Sequence, residues 1–145
     1  MIMKLVIAAD HGGYDIKEAI KVALTADGHE VLDLGTDNGT DSVDYPAFAK
    51  ALCAVITEGK ATLGILCCGT GIGMSMAANK QKGIRAAVLS DEYSARLTRN
   101  HNNANVLCLG GRVVDNEKAV LLARTFVGAE FEGGRHQRRI DMLEA

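Results

Sequence analysis

The chain has 145 residues, of which 48% are hydrophobic and 23% charged, and its formal net charge is −2. A chain of this length suits one domain, residues 1–145, that hides roughly 70% of its unfolded surface and needs no disulfide or metal staple. The near-neutral charge and the lack of any apolar run near the ~20 residues of a membrane helix argue against nucleic acid and membrane as partners.

Taken in chain order, short apolar runs alternate with longer amphipathic segments. The opening MIMKLVIAADHGG lacks a basic n-region and a small-residue cleavage site, so residues 4–9 (KLVIAA) read as a first strand and not as a signal peptide. Residues 14–27 carry Ile16, Ala19, Ile20, Ala23 and Leu24 on one helical face, and Gly28 stands where a helix ends. A second strand follows at 31–34, then a loop rich in Gly, Thr, Asn and Asp to residue 44. Pro46, the single proline, fits the first turn of a helix reaching about residue 58. Strand 63–67, helix 71–80, strand 85–89, helix 91–101, strand 104–109 and helix 116–127 complete the alternation. Gly133 and Gly134 then separate a basic C-terminal helix at about 134–144. Runs such as LGILCC, RAAVL and NVLCLG are apolar throughout, as strands covered on both faces are. The pattern predicts a Rossmann-like α/β/α sandwich around a five-stranded parallel sheet. It does not fix the strand order.

Ligands of such sheets bind beyond the carboxyl ends of the strands. That rule selects Asp10-His11-Gly12-Gly13, the loop Cys68-Gly69-Thr70-Gly71-Ile72-Gly73, Ser90-Asp91 and Gly110-Gly111-Arg112. The stretch Asn100-His101-Asn102-Asn103 is expected on the same rim. Glycines 69, 71 and 73 strip the loop of side chains, so that backbone N–H groups face an incoming anion at a helix N-terminus. A dinucleotide is one candidate anion, with Asp91 imitating a ribose-binding acid. The spacing is G-x-G-x-G, however, and the chain has no room for a separate substrate domain and no GK[ST]. The other candidate is an anion formed during a reaction. A cysteine at a strand end beside a helix N-terminus is disposed to act as a thiolate, with bare amides behind it to hold a developing enediolate. Cys68 is nearer the loop, and strand alternation turns Cys67 to the opposite face; the competing reading makes both thiols small buried fillers.

The C-terminal GGRHQRR stretch places Arg135 and Arg139 one helical turn apart, and Arg112 follows the glycine pair after the last strand. Guanidinium groups suit phosphate; the competing reading is a solvated basic face. An enediolate pocket together with a phosphate clamp describes a sugar-phosphate isomerase. Cys53, Cys67, Cys68 and Cys108 show no CxxC spacing and fit a reduced, cytoplasmic setting. Cys53 and Cys108 are expected in the core and His29 in an exposed turn. Asp91 and Glu92 are expected to open a helix, and Asp44 either to cap one or to touch sugar. His136 sits among the basic residues, its helical phase undefined.

The segments AADHGG, TDSVDYP, GILCCGTGIGMSMAANK, RNHNNANVLCLGGR and EGGRHQRR, in this order from Met3 to about Arg139, resemble the type B ribose-5-phosphate isomerases. Their family also holds allose 6-phosphate and galactose 6-phosphate isomerases. The resemblance implies aldose–ketose isomerisation of a sugar phosphate, no metal and no cofactor, and a homodimer or homotetramer with active sites shared between subunits. It implies Cys68 as the general base between C1 and C2. Some relatives use a glutamate later in the loop, where this chain has Met74, which cannot take a proton. Thr70 matches a hydroxyl beside the base. Gly69, Gly71 and Gly73 match the anion hole, Asn102 an amide holding the enediolate, and His101 the group that opens the sugar ring. Asp10 and Tyr45 match sugar contacts, and His11, Arg112, Arg135 and Arg139 the phosphate pocket. The resemblance is less specific for the sugar: allose 6-phosphate, galactose 6-phosphate and tetrulose 4-phosphates stay open beside ribose 5-phosphate. So does a non-enzymatic module that binds nucleotides or sugar phosphates.

Overall fold

The computed structural model describes residues 1–145. Its strands are β1 (Lys4–Ala9), β2 (Glu30–Asp33), β3 (Leu63–Cys68), β4 (Ala86–Val88) and β5 (Val106–Gly110). They form one all-parallel sheet in the order β2-β1-β3-β5-β4. The central strands β1, β3 and β5 are buried almost throughout, which is why their sequences are apolar at every position and not at alternate ones.

The helices are α1 (Tyr14–Ala26), α2 (Tyr45–Thr57), α3 (Ile72–Asn79), α4 (Glu92–Asn100), α5 (Asn116–Gly128) and α6 (Arg135–Glu144). Leu5, Ile7, Ile65, Cys67, Leu107 and Leu109 face α1, α4 and α5, where Ile20, Leu24, Ala95, Leu122 and Phe126 meet them. The alternate residues Val6, Ala8, Leu66, Cys68 and Cys108 face Leu52, Cys53, Met74 and Ala78 of α2 and α3. The expected three-layer α/β/α sandwich is what forms. Asp91 accepts from Ser94 N at 2.8 Å and Asp115 from Lys118 N at 2.8 Å, so α4 and α5 start on side-chain caps. Asp44 stands at the N-cap of α2 without making such a bond.

The last strand begins two residues later than its sequence suggests, because Asn105 N and Val106 N both turn toward the Arg85 carbonyl. Lys17, on the inner face of α1, is only 1% exposed. Its Nζ lies 2.9 and 2.7 Å from the Asp33 carboxylate and 2.9 Å from Glu18, which ties α1 to the end of the edge strand β2. Burial raises the Asp33 carboxyl, but hydrogen bonds from Lys17, Lys21 and Gly35 N–H outweigh it and leave its pKa below the ordinary value. No helix is long and apolar enough to cross a membrane.

Candidate active site

The register Cys67↔Leu109 and Cys68↔Gly110 sets both thiols at the carboxyl end of the sheet. Side-chain alternation sends them to opposite faces. Cys67 is fully enclosed beneath α1, and burial pushes its thiol far above the ordinary range. Cys68 Sγ accepts a hydrogen bond from Gly71 N at 3.1 Å, an amide directed at the atom that would carry negative charge. Gly71 can do this because its φ is +82°, a conformation that turns the chain sharply into α3 and that a side chain would strain. Thr70 Oγ1 accepts from Ile72 N at 3.2 Å. The amides of Gly73 and Met74 lie in the first helical turn, beyond the reach of any carbonyl of α3. Met74 itself points into the core.

Other predicted residues gather around this loop. Asp10, at the end of β1, accepts from Gly12 N at 2.9 Å and Gly13 N at 3.2 Å through Oδ1, folding the His11–Gly13 turn. His11 Nδ1 accepts from Val43 N at 3.2 Å, which pins the long 35–44 loop. That loop delivers Tyr45, whose ring lies against Gly73: a Cβ there would stand 2.6 Å from Cζ and 2.9 Å from the hydroxyl. Arg112 lies over Gly69, its Nη1 2.9 Å from where a side chain would begin. Asp10, His11, Tyr45, Cys68, Thr70, Gly69, Gly71, Gly73 and Arg112 thus share one rim.

The remaining predicted residues do not share it, which corrects the expectation for the 100–103 stretch. In a parallel sheet the helix before a strand runs back against the strand direction, so α4 ends at the amino edge. Asn105 O accepts from Gly64 N, at the start of β3, four residues or ~13 Å of strand below Cys68. His101 and Asn102 lie at that edge, and so do the N-terminus of α6 and its exposed Arg135 and Arg139. Two arginines hold the turn in place. Arg85 Nε donates to the carbonyls of Asn102 and Asn103 at 3.2 Å each, its Nη2 to Asn103 O at 2.8 Å, and its Nη1 pairs with Glu144 at 2.8 Å. Arg99 Nη1 donates to Asn103 Oδ1 and Ala104 O, both at 2.8 Å. A cleft of about 580 Å³ opens beside them, lined by Lys80, Lys82, Arg85, Asn102 and Leu143 among others.

His136, buried at the start of α6, stacks on His101 with ring centroids 4.2 Å apart and planes 13° from parallel. Burial, followed by the charges of His101 and Arg135, holds its pKa below the usual 6.5. Glu132 Oε1 sits 3.8 Å from His101 Nε2 and 3.6 Å from His136 Nε2. Glu132 stands four residues before His136, in the segment that leads into α6. Their meeting with His101 was not visible in the sequence, because it depends on how α6 folds back. Neither Lys17 nor Arg85 carried a sequence signal, since each is explained by a partner at least sixteen residues away.

The fold and the rim define an open α/β protein with a thiol and a glycine loop presenting backbone amides at the carboxyl edge of its sheet. The sequence profile of the Ribose/Galactose Isomerase family matches residues 5–143, and the chain belongs to that family. It is 44% identical over 142 residues to the ribose-5-phosphate isomerase B of Escherichia coli, covering 98% of this chain and 95% of that protein. A ribose 5-phosphate isomerase structure from Thermotoga maritima superposes with a TM-score of 0.95 at 47% identity, covering 98% of this chain and 97% of the other. The Mycoplasma genitalium ribose-5-phosphate isomerase B with bound ribulose-5-phosphate superposes with a TM-score of 0.92 at 44% identity, covering 97% and 93%.

Proposed function

We propose that this protein is an aldose–ketose isomerase that interconverts D-ribose 5-phosphate and D-ribulose 5-phosphate through a cis-enediolate. The family, the relatives of that activity at nearly full length and the ribulose-5-phosphate complex of one of them support the substrate. One observation carries the chemistry: the Cys68 sulfur held on the Gly71 amide at the mouth of an anion-binding turn. In the forward direction Cys68 takes the proton from C2 of the open-chain aldose. The C–H pair becomes the C1=C2 double bond and the carbonyl pair moves onto O1. Amides at Gly69, Gly71 and Gly73 hold that charge, at a value of about 10²–10³ in rate for a single donor. Return of the proton to C1 and transfer of the O2 proton to O1, relayed by Thr70, give the ketose. No metal or organic cofactor takes part.

Phosphate is held by Arg112, His11, Arg135 and Arg139, while Asp10 and Tyr45 meet sugar hydroxyls. His101 opens the furanose ring by proton transfer near neutral pH, and Asn102 supports the enediolate. Cys68 and His101 stand on opposite edges of one chain, so a complete site needs the amino edge of a second copy against the carboxyl edge of the first. The working unit is therefore a homodimer, or a tetramer built from it, acting on a small cytoplasmic metabolite.

The test is turnover of ribose 5-phosphate in D2O beside allose 6-phosphate, galactose 6-phosphate and a tetrose 4-phosphate. Ribose 5-phosphate is expected to react fastest, with deuterium appearing at the exchanging carbon. Faster turnover of a hexose phosphate would overturn the substrate assignment, and binding without exchange would overturn the enzyme.

A further inference from the structure

His136 presents an anomaly that isomerisation leaves unexplained. It is 6% exposed, and its Nε2 is buried with no hydrogen-bond partner, a state that buried polar groups rarely tolerate. The nitrogen points toward Glu132, and His101 reaches the same carboxylate from the stack. One ligand atom from each of the three residues lies within 4.8 Å of the others. Two imidazoles and a carboxylate are a common donor set for zinc-like ions. Tetrahedral ligands at zinc–ligand distances of about 2.0–2.2 Å sit ~3.4 Å from one another, so the two nitrogen–oxygen separations of 3.6 and 3.8 Å need to close by only a few tenths of an ångström.

We propose that His101, Glu132 and His136 form a binding site for a divalent transition-metal ion of the zinc class, and that the bound ion withdraws His101 from the reaction. The two rings stack in nearly parallel planes, so converging both nitrogens on one ion requires His101, whose side chain is 37% exposed, to tilt out of the stack while its Nε2 stays beside the carboxylate. His136 is fixed by burial, while the Glu132 side chain is 56% exposed, so one rigid donor and two less constrained ones close on the ion. Arg135 and Arg139 place positive charge on the same helix, which keeps the affinity moderate and the site reversible. Such a site makes the protein sensitive to free zinc while its chemistry needs none.

The experiment is calorimetric titration of the purified full chain with Zn2+, paired with the visible absorption of Co2+ as a geometric probe. The variants are Glu132→Gln, His136→Asn and Cys68→Ser. One ion per chain is expected. Glu132→Gln, at an exposed position that leaves the core intact, should weaken binding by roughly ten-fold or more, the scale at which even supporting residues of metal sites act. Cys68→Ser should leave binding unchanged, with no thiolate-to-cobalt band in the ultraviolet. Zn2+ should inhibit the wild-type isomerase, and Glu132→Gln should relieve that inhibition. Absence of saturable binding overturns the proposal. So does equal affinity in Glu132→Gln, or loss of binding in Cys68→Ser. Because binding is read without substrate, this outcome is independent of whether ribose 5-phosphate is the sugar.

Discussion

Cys68 is the residue on which the proposed chemistry turns. On that proposal, replacing it with alanine removes the base and leaves the glycine turn. The expected outcome is a fall in kcat of about 10²–10⁴ with KM little changed, measured by direct assay of ribulose 5-phosphate; near-normal turnover would remove Cys68 from the mechanism. A Gly73→Ala change tests the neighbouring contact. Its methyl group meets the Tyr45 ring at 2.6 Å, so the ring must move, and KM should rise while the far-ultraviolet circular dichroism stays native. That Cys67 and Cys68 face opposite sides of the sheet was legible in the sequence, because the two-residue period of a strand is a local signal. Lys17 was not legible. On the periodicity of α1 it falls among core positions, and only Asp33, on another strand, explains its burial.

At the scale of elements, the turn after α4 and the helix α6 depend on each other. Arg85 joins them, holding the carbonyls of Asn102 and Asn103 on one side and Glu144 on the other. Arg85→Met is expected to cost about 1–3 kcal/mol, or roughly 3–9 °C in Tm. It should also lower kcat more than KM changes, since His101 and Asn102 lose their footing; scanning calorimetry and steady-state kinetics check the two parts. On the proposed function, Arg135→Ala with Arg139→Ala should act through phosphate binding. Each charge-assisted contact is worth about 1.5–3 kcal/mol, so KM should rise roughly ten-fold or more per arginine, and an unchanged KM would disprove the clamp. The elements themselves were readable from periodicity and caps to within a residue or two. Their ends shifted where non-local bonds took over, as at Asn105. The placement of α4's last turn was misread because direction in a parallel sheet is a property of two strands and a crossover, not of the turn's own residues.

For the whole molecule, the proposed site, with its half-sites at opposite edges, would make activity a property of pairs. Mixing Cys68→Ala with His101→Ala after dissociation should restore activity that neither has alone. Random pairing gives half heterodimers with one intact site each, or about a quarter of wild-type activity; no recovery would mean that each chain works alone. Stability follows pH through the cluster in which the buried Lys17 meets the more exposed Lys21, Glu18 and Asp33. The Asp33 and Glu18 carboxyls titrate below their unfolded values in the folded chain, so their contribution is complete above about pH 4 and vanishes as pH falls through the folded pKa. Lys21 is shifted upward, so its contribution is complete below ~10.4 and fades as pH rises beyond it. Acid and alkaline unfolding curves of Asp33→Asn should both flatten relative to wild type. Strand order escaped the sequence altogether, because it is set by which crossover passes over which face, and no residue encodes that choice by itself.

All four thiols are buried, Cys68 the least completely at 5% exposed. Cys53, Cys67 and Cys108 are at most 2% exposed, and burial raises each of them, Cys53 to about 11. An alkylating reagent is therefore expected to reach Cys68, the least enclosed sulfur at the carboxyl edge of the sheet, before the other three. Iodoacetamide should add one carbamidomethyl mass, substrate should shield it, and the labelled fraction should count the competent centres in a preparation. The same asymmetry offers inhibitor design a warhead position with three silent controls in the same molecule.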